Sequence, residues 1–215
     1  MNTTALLTPL WDYDLIADGL RQHGWVHLPN GISDRLALDL LQDIHQHQPD
    51  QWDQAGIGRQ QDYHTNDLVR RDSTHWLTGE TPAQRQYLAA ADELRLELNK
   101  RLMLGLWDYE CHYARYDTGA FYRKHVDAFR GRTNRVLTTV TYLNPDWQDN
   151  QGGELLLYSE QNQLVSRLLP TLGSMVIFLS EEFPHEVLAA ERTRFSIAGW
   201  YRNNNSIQNR IDPSQ

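Results

Sequence analysis

Three residues of this chain have the types and spacing to hold one metal ion. His125 and Asp127 stand two apart in the run Phe-Tyr-Arg-Lys-His-Val-Asp at 121–127, and His185 follows sixty residues after the first histidine in Pro-His-Glu-Val at 184–187. In a β-strand alternate side chains share a face with Cα atoms about 6.7 Å apart, so one ion can bridge His125 and Asp127. A third ligand from a distant strand completes a two-histidine, one-carboxylate set. Such a set leaves adjacent octahedral positions open and is the geometry of non-haem Fe(II) centres. Nine residues after His185 comes Arg194, whose guanidinium can form two parallel charge-assisted hydrogen bonds to a carboxylate, a geometry lysine cannot copy. The residues between them, Leu-Ala-Ala-Glu-Arg at 188–192, read as a hairpin that would set His185 and Arg194 on neighbouring strands facing one cavity.

A His-x-Asp motif alone is weak, since a chain with 9 histidines in 215 residues is expected to contain roughly one by chance. The surroundings discriminate. Between the two histidine segments lie short β-branched and aromatic runs at 135–143, 153–158 and 174–179, separated by Asn-Pro, Gly-Gly and Pro-Thr-Leu-Gly turn signals. Their spacing predicts an all-β barrel or double-sheet jelly roll. A small barrel can hold one metal and one small ligand in its mouth.

The elements that must position these residues begin upstream. Residues 1–9 read as unstructured; 12–22 carries apolar positions at helical spacing, and 24–28 (Gly-Trp-Val-His-Leu) reads as a strand. Ser33 is a candidate N-cap for a helix burying Leu36, Leu38, Leu40, Leu41 and Ile44. Polar residues from 46 to 64 suggest a long loop of the kind that serves as a lid. Pro82 suits a first helical turn, and Leu88, Ala91, Leu94, Leu98 and Leu102 continue an apolar stripe to Gly105. The polar tail from Asn203 onward reads as a frayed end. His45 and His47, two apart on a helix, do not face one another and make a poor metal pair; His64 and His75 read as surface residues of the lid region, and His112 with Glu110 on a strand could mimic a metal pair.

At this length and with 40% hydrophobic residues, a single domain over 1–215 is expected, with helical support and lid at 10–106 and the core at 107–202. The formal charge of −8 argues against nucleic-acid or anionic-membrane partners. A local basic mouth is still possible, since Arg123, Lys124, Arg130, Arg132 and Arg135 cluster around the candidate ligands. The single cysteine, Cys111, rules out an internal disulfide and suits a reducing cytoplasm. No segment reaches the roughly 20 apolar residues that span a bilayer.

The order of these motifs resembles the 2-oxoglutarate- and Fe(II)-dependent dioxygenases and, within them, the prolyl hydroxylases, in particular the oxygen-sensing animal enzymes and their bacterial counterparts. The resemblance rests on Tyr116, the approach at 119–125, His125 and Asp127, Tyr142-Leu-Asn-Pro-Asp-Trp147, Gly152-Gly-Glu, the 184–187 run and Arg194 through Trp200. Arg70, Asp72 and Trp76 fall where the family carries a mobile loop that closes over substrate. The resemblance implies a mainly β fold with flanking helices around a double-stranded β-helix. It further implies Fe(II), 2-oxoglutarate and O2 as reactants, with ascorbate as an accessory. Arg194 with Tyr142 would receive the distal carboxylate of 2-oxoglutarate, Tyr116 and Trp200 would line the cosubstrate pocket, and Arg70, Asp72, Trp76 and Arg135 would meet the substrate. Thr141 and Ser196 offer further polar groups. The approach between Tyr116 and His125 is one residue shorter than in the animal enzymes. The implied substrate is a prolyl residue in a protein, elongation factor Tu being the first candidate from the bacterial relatives. Alternatives are the same chemistry on a free amino acid or small metabolite, and a non-catalytic metal-binding jelly roll.

Overall fold

The computed structural model describes residues 10–55, 68–128 and 134–204. The expectations for residues 1–9, for residues 56–64 of the 46–64 loop with His64, for Arg130 and Arg132, and for the tail beyond 204 lie outside them. Three helices have the ends their sequence dictates. Asp12 caps α1 (Tyr13–His23) through Leu15 N, and Gly24 closes it at φ 75°. Ser33 caps α2 (Asp34–Gln46) and Thr81 caps α3 (Pro82–Leu102), with Pro82 in its first turn. An oxygen at the N-cap satisfies amides the helix itself leaves without partners. The expected buried face of α2 holds at Leu36, Leu40 and Ile44 but not at Leu38, which is 46% exposed. Two residues along a helix turn a side chain by about 200°, away from the face that Leu36 buries.

Eleven strands make two sheets among the described residues. The larger runs β1-β9-β6-β11-β4-β3-β2, composed of β1 (Trp25–Leu28), β9 (Met175–Leu179), β6 (Arg135–Tyr142), β11 (Arg194–Asn203), β4 (Leu106–Tyr116), β3 (Asp72–Trp76) and β2 (Asp53–Gln54). The smaller runs β5-β10-β7-β8, composed of β5 (Tyr122–His125), β10 (His185–Val187), β7 (Leu155–Tyr158) and β8 (Leu164–Leu168). All pairings within both are antiparallel. This is the expected mainly β jelly roll with flanking helices. β1, β2 and β3, from before residue 107, extend the large sheet.

Strand alternation gives the large sheet two apolar faces and two cores. The outer face, with Cys111, Tyr113, Leu137, Ile177, Ile197 and Tyr201, packs against the helices through Ile16, Leu40, Leu94 and Leu98. The inner face, with Tyr116, Val140, Tyr142, Val176 and Phe178, meets Leu155, Leu157, Leu168 and Val187 of the small sheet and its neighbours. Between the sheets a cleft of about 810 Å³ opens.

The expected hairpin between His185 and Arg194 does not form. β10 pairs with β5 and β7, whereas β11 pairs with β4 and β6, so the connection crosses from one sheet to the other. His185 and Arg194 still line the same cleft, from opposite walls. A strand of three residues carries too little alternation to show which sheet it joins.

Candidate active site

His125 and His185 are direct partners across β5 and β10, which places their side chains side by side on one face. Asp127 lies just past the end of β5 rather than on a strand, yet it reaches the same point. Ligand atoms of His125, Asp127 and His185 lie within 4.8 Å of one another. His125 Nε2 is 3.6 Å from Asp127 Oδ1, and His185 Nε2 is 3.5 Å from Oδ2. Nδ1 of His125 lies 2.7 Å from the Arg123 carbonyl and Nδ1 of His185 lies 3.0 Å from that of Phe183. A carbonyl only accepts, so each Nδ1 carries the proton and each Nε2 lone pair faces the carboxylate, the outer-shell arrangement that prepares imidazoles for a metal. Burial, then the neighbouring His125, lowers the His185 pKa to about 4, which keeps it in the neutral, ligating form. Burial alone would raise the Asp127 carboxyl, but the positive charge around it, Arg135 included, outweighs burial and holds it well below the usual carboxylate range. Thr138 Oγ1 donates to Asp127 Oδ2 at 2.8 Å and is itself paired with Ser180. This donor set fits a divalent transition ion.

Arg194 begins β11 opposite Tyr116 and is 1% exposed. Among the described residues no carboxylate lies within ion-pair distance of it; Nη1 donates to Ser196 at 3.2 Å, while Nε and Nη2 are buried without partners. The Tyr142 hydroxyl is likewise buried and unpaired, with the guanidinium 5.1 Å over its ring and 4.9 Å over that of Tyr116. Burial, offset in part by Arg194, pushes the Tyr142 phenol up to about 12, so it is a donor at neutral pH. A buried guanidinium left unpaired costs several kcal/mol, and this arrangement fits an anion with two acceptor oxygens. The Gly152-Gly153 turn makes the space: both adopt positive φ, and a Cβ on Gly153 would stand 2.9 Å from Trp147 and Ala190 and 3.4 Å from the Arg194 stem.

The residues expected to meet substrate separate into two kinds. Arg70 and Asp72 form an ion pair in which the Asp72 side chain is 0% exposed. The Arg70 guanidinium lies 4.3 Å over the Tyr122 ring, which stacks on His125 at 3.5 Å; the pair therefore braces a candidate metal ligand. Trp76 is 42% exposed at the cleft. Arg135 donates to Glu110 at 2.8 Å and covers the Trp200 ring at 3.5 Å. Of the expected basic mouth, Arg123 and Lys124 point outward, Lys124 lying over Tyr158; Arg135 lines the cleft. Glu110 is held by Arg135 and Arg202 and forms no metal pair with His112. Thr141 faces the helices and bonds Tyr87 at 2.9 Å, because it alternates with the inward Tyr142. Ser196 does lie in the cleft.

Sequence reasoning missed Thr138, Tyr122 and the place of His112. Parity carried the signal: Thr138 shares a face with Tyr142 on β6, and His112 shares one with Tyr116 on β4. His45 and His47 stay away from the candidate metal ligands; the His47 ring sits 4.1 Å from that of His75.

Residues 111–202 match the family model described as the 2OG-Fe(II) oxygenase superfamily. A prolyl-4-hydroxylase from Pseudomonas putida superposes with a TM-score of 0.82 at 36% identity, covering 90% of this chain and 100% of that one. A Trichoplax adhaerens prolyl hydroxylase, solved with a hypoxia inducible factor peptide fragment, gives 0.77 at 26% identity and 89% coverage of each. The hypoxia-inducible factor prolyl hydroxylase of Caenorhabditis elegans is 38% identical over 85 residues, 39% of this chain and 12% of that protein. The chain spans a third or less of the length of the curated relatives it matches. With the motif order, the jelly roll and the ligand set in agreement, the chain belongs to the 2OG-Fe(II) oxygenase superfamily.

Proposed function

We propose that this protein hydroxylates a prolyl residue in a protein, consuming 2-oxoglutarate and O2 with Fe(II) and releasing succinate and CO2. The observation that carries the reading is the unpaired, buried Arg194 and Tyr142 donors in the same cleft as His125, Asp127 and His185. A metal-binding jelly roll without turnover has no need of a desolvated anion clamp. Bound iron would supply the oxidative step that side chains cannot. The three ligands would hold it, and Thr138 would fix the Asp127 carboxylate. Arg194 and Tyr142 would orient 2-oxoglutarate by its distal carboxylate, Tyr116 would wall that pocket, and Val140 and Val187 would keep water from it. Trp76, Trp200 and Arg135 would line the path of the polypeptide, with Arg70 and Asp72 bracing it.

A peptide rather than a metabolite is supported by the cleft's length along β4 and β11 and by the relatives, whose names describe prolyl hydroxylases, one of them with a bound peptide. Proline suits such a cleft because its fixed φ reduces the entropy lost on immobilising an extended chain. Elongation factor Tu is the first candidate substrate, ascorbate the reductant that would keep the iron ferrous, and the cytoplasm the compartment. No helix among the described residues is long and apolar enough to cross a membrane. The test incubates the protein with Fe(II), ascorbate, 2-oxoglutarate and prolyl peptides, including segments of elongation factor Tu. A gain of about 16 Da on proline, one oxygen atom, matched by succinate is expected. Turnover of free amino acids with none on any prolyl peptide would overturn the reading.

A further inference from the structure

Midway along the cleft floor, His112 is wedged between two indoles, 5.2 Å from Trp76 and 5.4 Å from Trp200. Its register fixes the place: it pairs with Trp76 of β3 on one side and Ala198 of β11 on the other. Nδ1 lies 3.1 Å from the Tyr113 carbonyl, so the proton sits on Nδ1 and Nε2 is an acceptor. No hydrogen bond from a described residue reaches Nε2, although the side chain lines the cleft. Beside it, the Trp200 indole N–H is buried without a partner. The cleft lined by the candidate metal ligands is thus also lined by a ring acceptor that has no hydrogen-bond partner among the described residues.

We propose that His112 is a specificity-determining residue whose Nε2 accepts a hydrogen bond from a backbone N–H of the bound polypeptide, at a residue flanking the one hydroxylated. This rests on the prolyl-peptide reading above. Burial, then Arg70, lowers the His112 pKa to about 4, with Arg135 adding to the effect, so the ring is neutral at physiological pH. Between two indoles a lysine or arginine donor would have to shed its hydration, which favours a neutral amide as the donor. Proline has no N–H, so the target residue cannot itself supply the bond. A second proline at the flanking position cannot supply it either. The site therefore selects for an isolated proline and against consecutive prolines in that direction.

The experiment is an ester scan. Peptide amides flanking the target proline are replaced one at a time by esters, which removes the N–H with little change of shape. Binding of fluorescently labelled peptides is measured by anisotropy with Mn(II) and an unreactive 2-oxoglutarate analogue, so no turnover enters the readout. One ester position is expected to weaken binding to the wild type on the order of fivefold. His112→Met should lose that sensitivity, while His112→Gln, which keeps a side-chain acceptor, should retain it; thermal melts establish that both variants fold. An equal loss at that position in wild type and His112→Met, or no sensitive position, would overturn the assignment of His112. If the wild type binds no prolyl peptide at all, the functional reading fails first and this inference with it.

Discussion

His125 and His185 stand on a four-stranded sheet whose β8 leaves Leu164 and Val165 exposed, whereas Arg194 opens an inner strand of a seven-stranded sheet backed by three helices. The first wall is the slighter of the two. Its ligand strands are four and three residues long, and each candidate ligand is fixed by a single hydrogen bond, His125 and His185 to backbone carbonyls and Asp127 from Thr138. The second wall is built whether or not anything binds, and it holds a desolvated cation in place at a standing cost. The contrast teaches that the two halves of one site are organised differently. Metal affinity and local order should rise and fall together on the small sheet, while the large sheet holds its geometry and gives up stability for it.

The largest effect is expected at Arg194. With Mn(II) and an unreactive 2-oxoglutarate analogue at 100 times its dissociation constant, the wild type should gain about 2.7 kcal/mol of stability. Arg194→Lys should lose about 3–5 kcal/mol of the analogue's binding, so its melting temperature should hardly move. Without ligand, Arg194→Met should be no less stable than wild type, because it removes an unpaired buried charge. A marked loss of unliganded stability would make Arg194 a structural residue and erase the contrast between the walls.

On the small sheet, Asp127→Ala should weaken Mn(II) binding by at least about 100-fold, and Thr138→Val by roughly tenfold, the range seen when groups behind metal ligands are changed. Anoxic titration measures both. Mn(II) should also slow amide exchange in β5 and β10 more than in β4 and β11. Equal protection of the two sheets would show that metal does not organise the small one.

The smallest effect concerns His112. Its folded pKa lies below that of a free histidine, so between about pH 6.5 and 4 the unfolded chain binds more protons and stability falls as the solution is acidified. His112→Gln should flatten that acid limb by about 1–2 kcal/mol, less than the roughly 3 kcal/mol that the full displacement represents. Denaturant midpoints at pH 7 and 4.5 measure it. An unchanged slope would mean that the ring is already protonated or solvated.

The parts of this site legible in the sequence were those fixed by local geometry. Alternation put His125 and Asp127 within reach of one ion, although Asp127 gets there from a bend after the strand. Arg194 was legible because its residue type has few uses when buried. What depends on sheet membership is not: the three residues of β10 carry no sign of which sheet they join, so in sequence the crossover looks like a hairpin. Arg70 and Asp72 pair with each other, as opposite charges two apart in extended chain can do because they share a face. In sequence His112 has Glu110 as its nearest same-face neighbour, because its ring partners Trp76 and Trp200 come from strands that sequence alone does not bring together.

Cys111, the chain's single cysteine, is 2% exposed on the helix side of the large sheet, and burial raises its thiol far above the ordinary range. Thiol reagents need the thiolate and access to it, so the native protein is expected to be silent toward maleimides. A cysteine introduced at Leu164, 56% exposed on β8, would then be the one reactive handle among the described residues. A single dye there would report motion of the small sheet without any background to subtract.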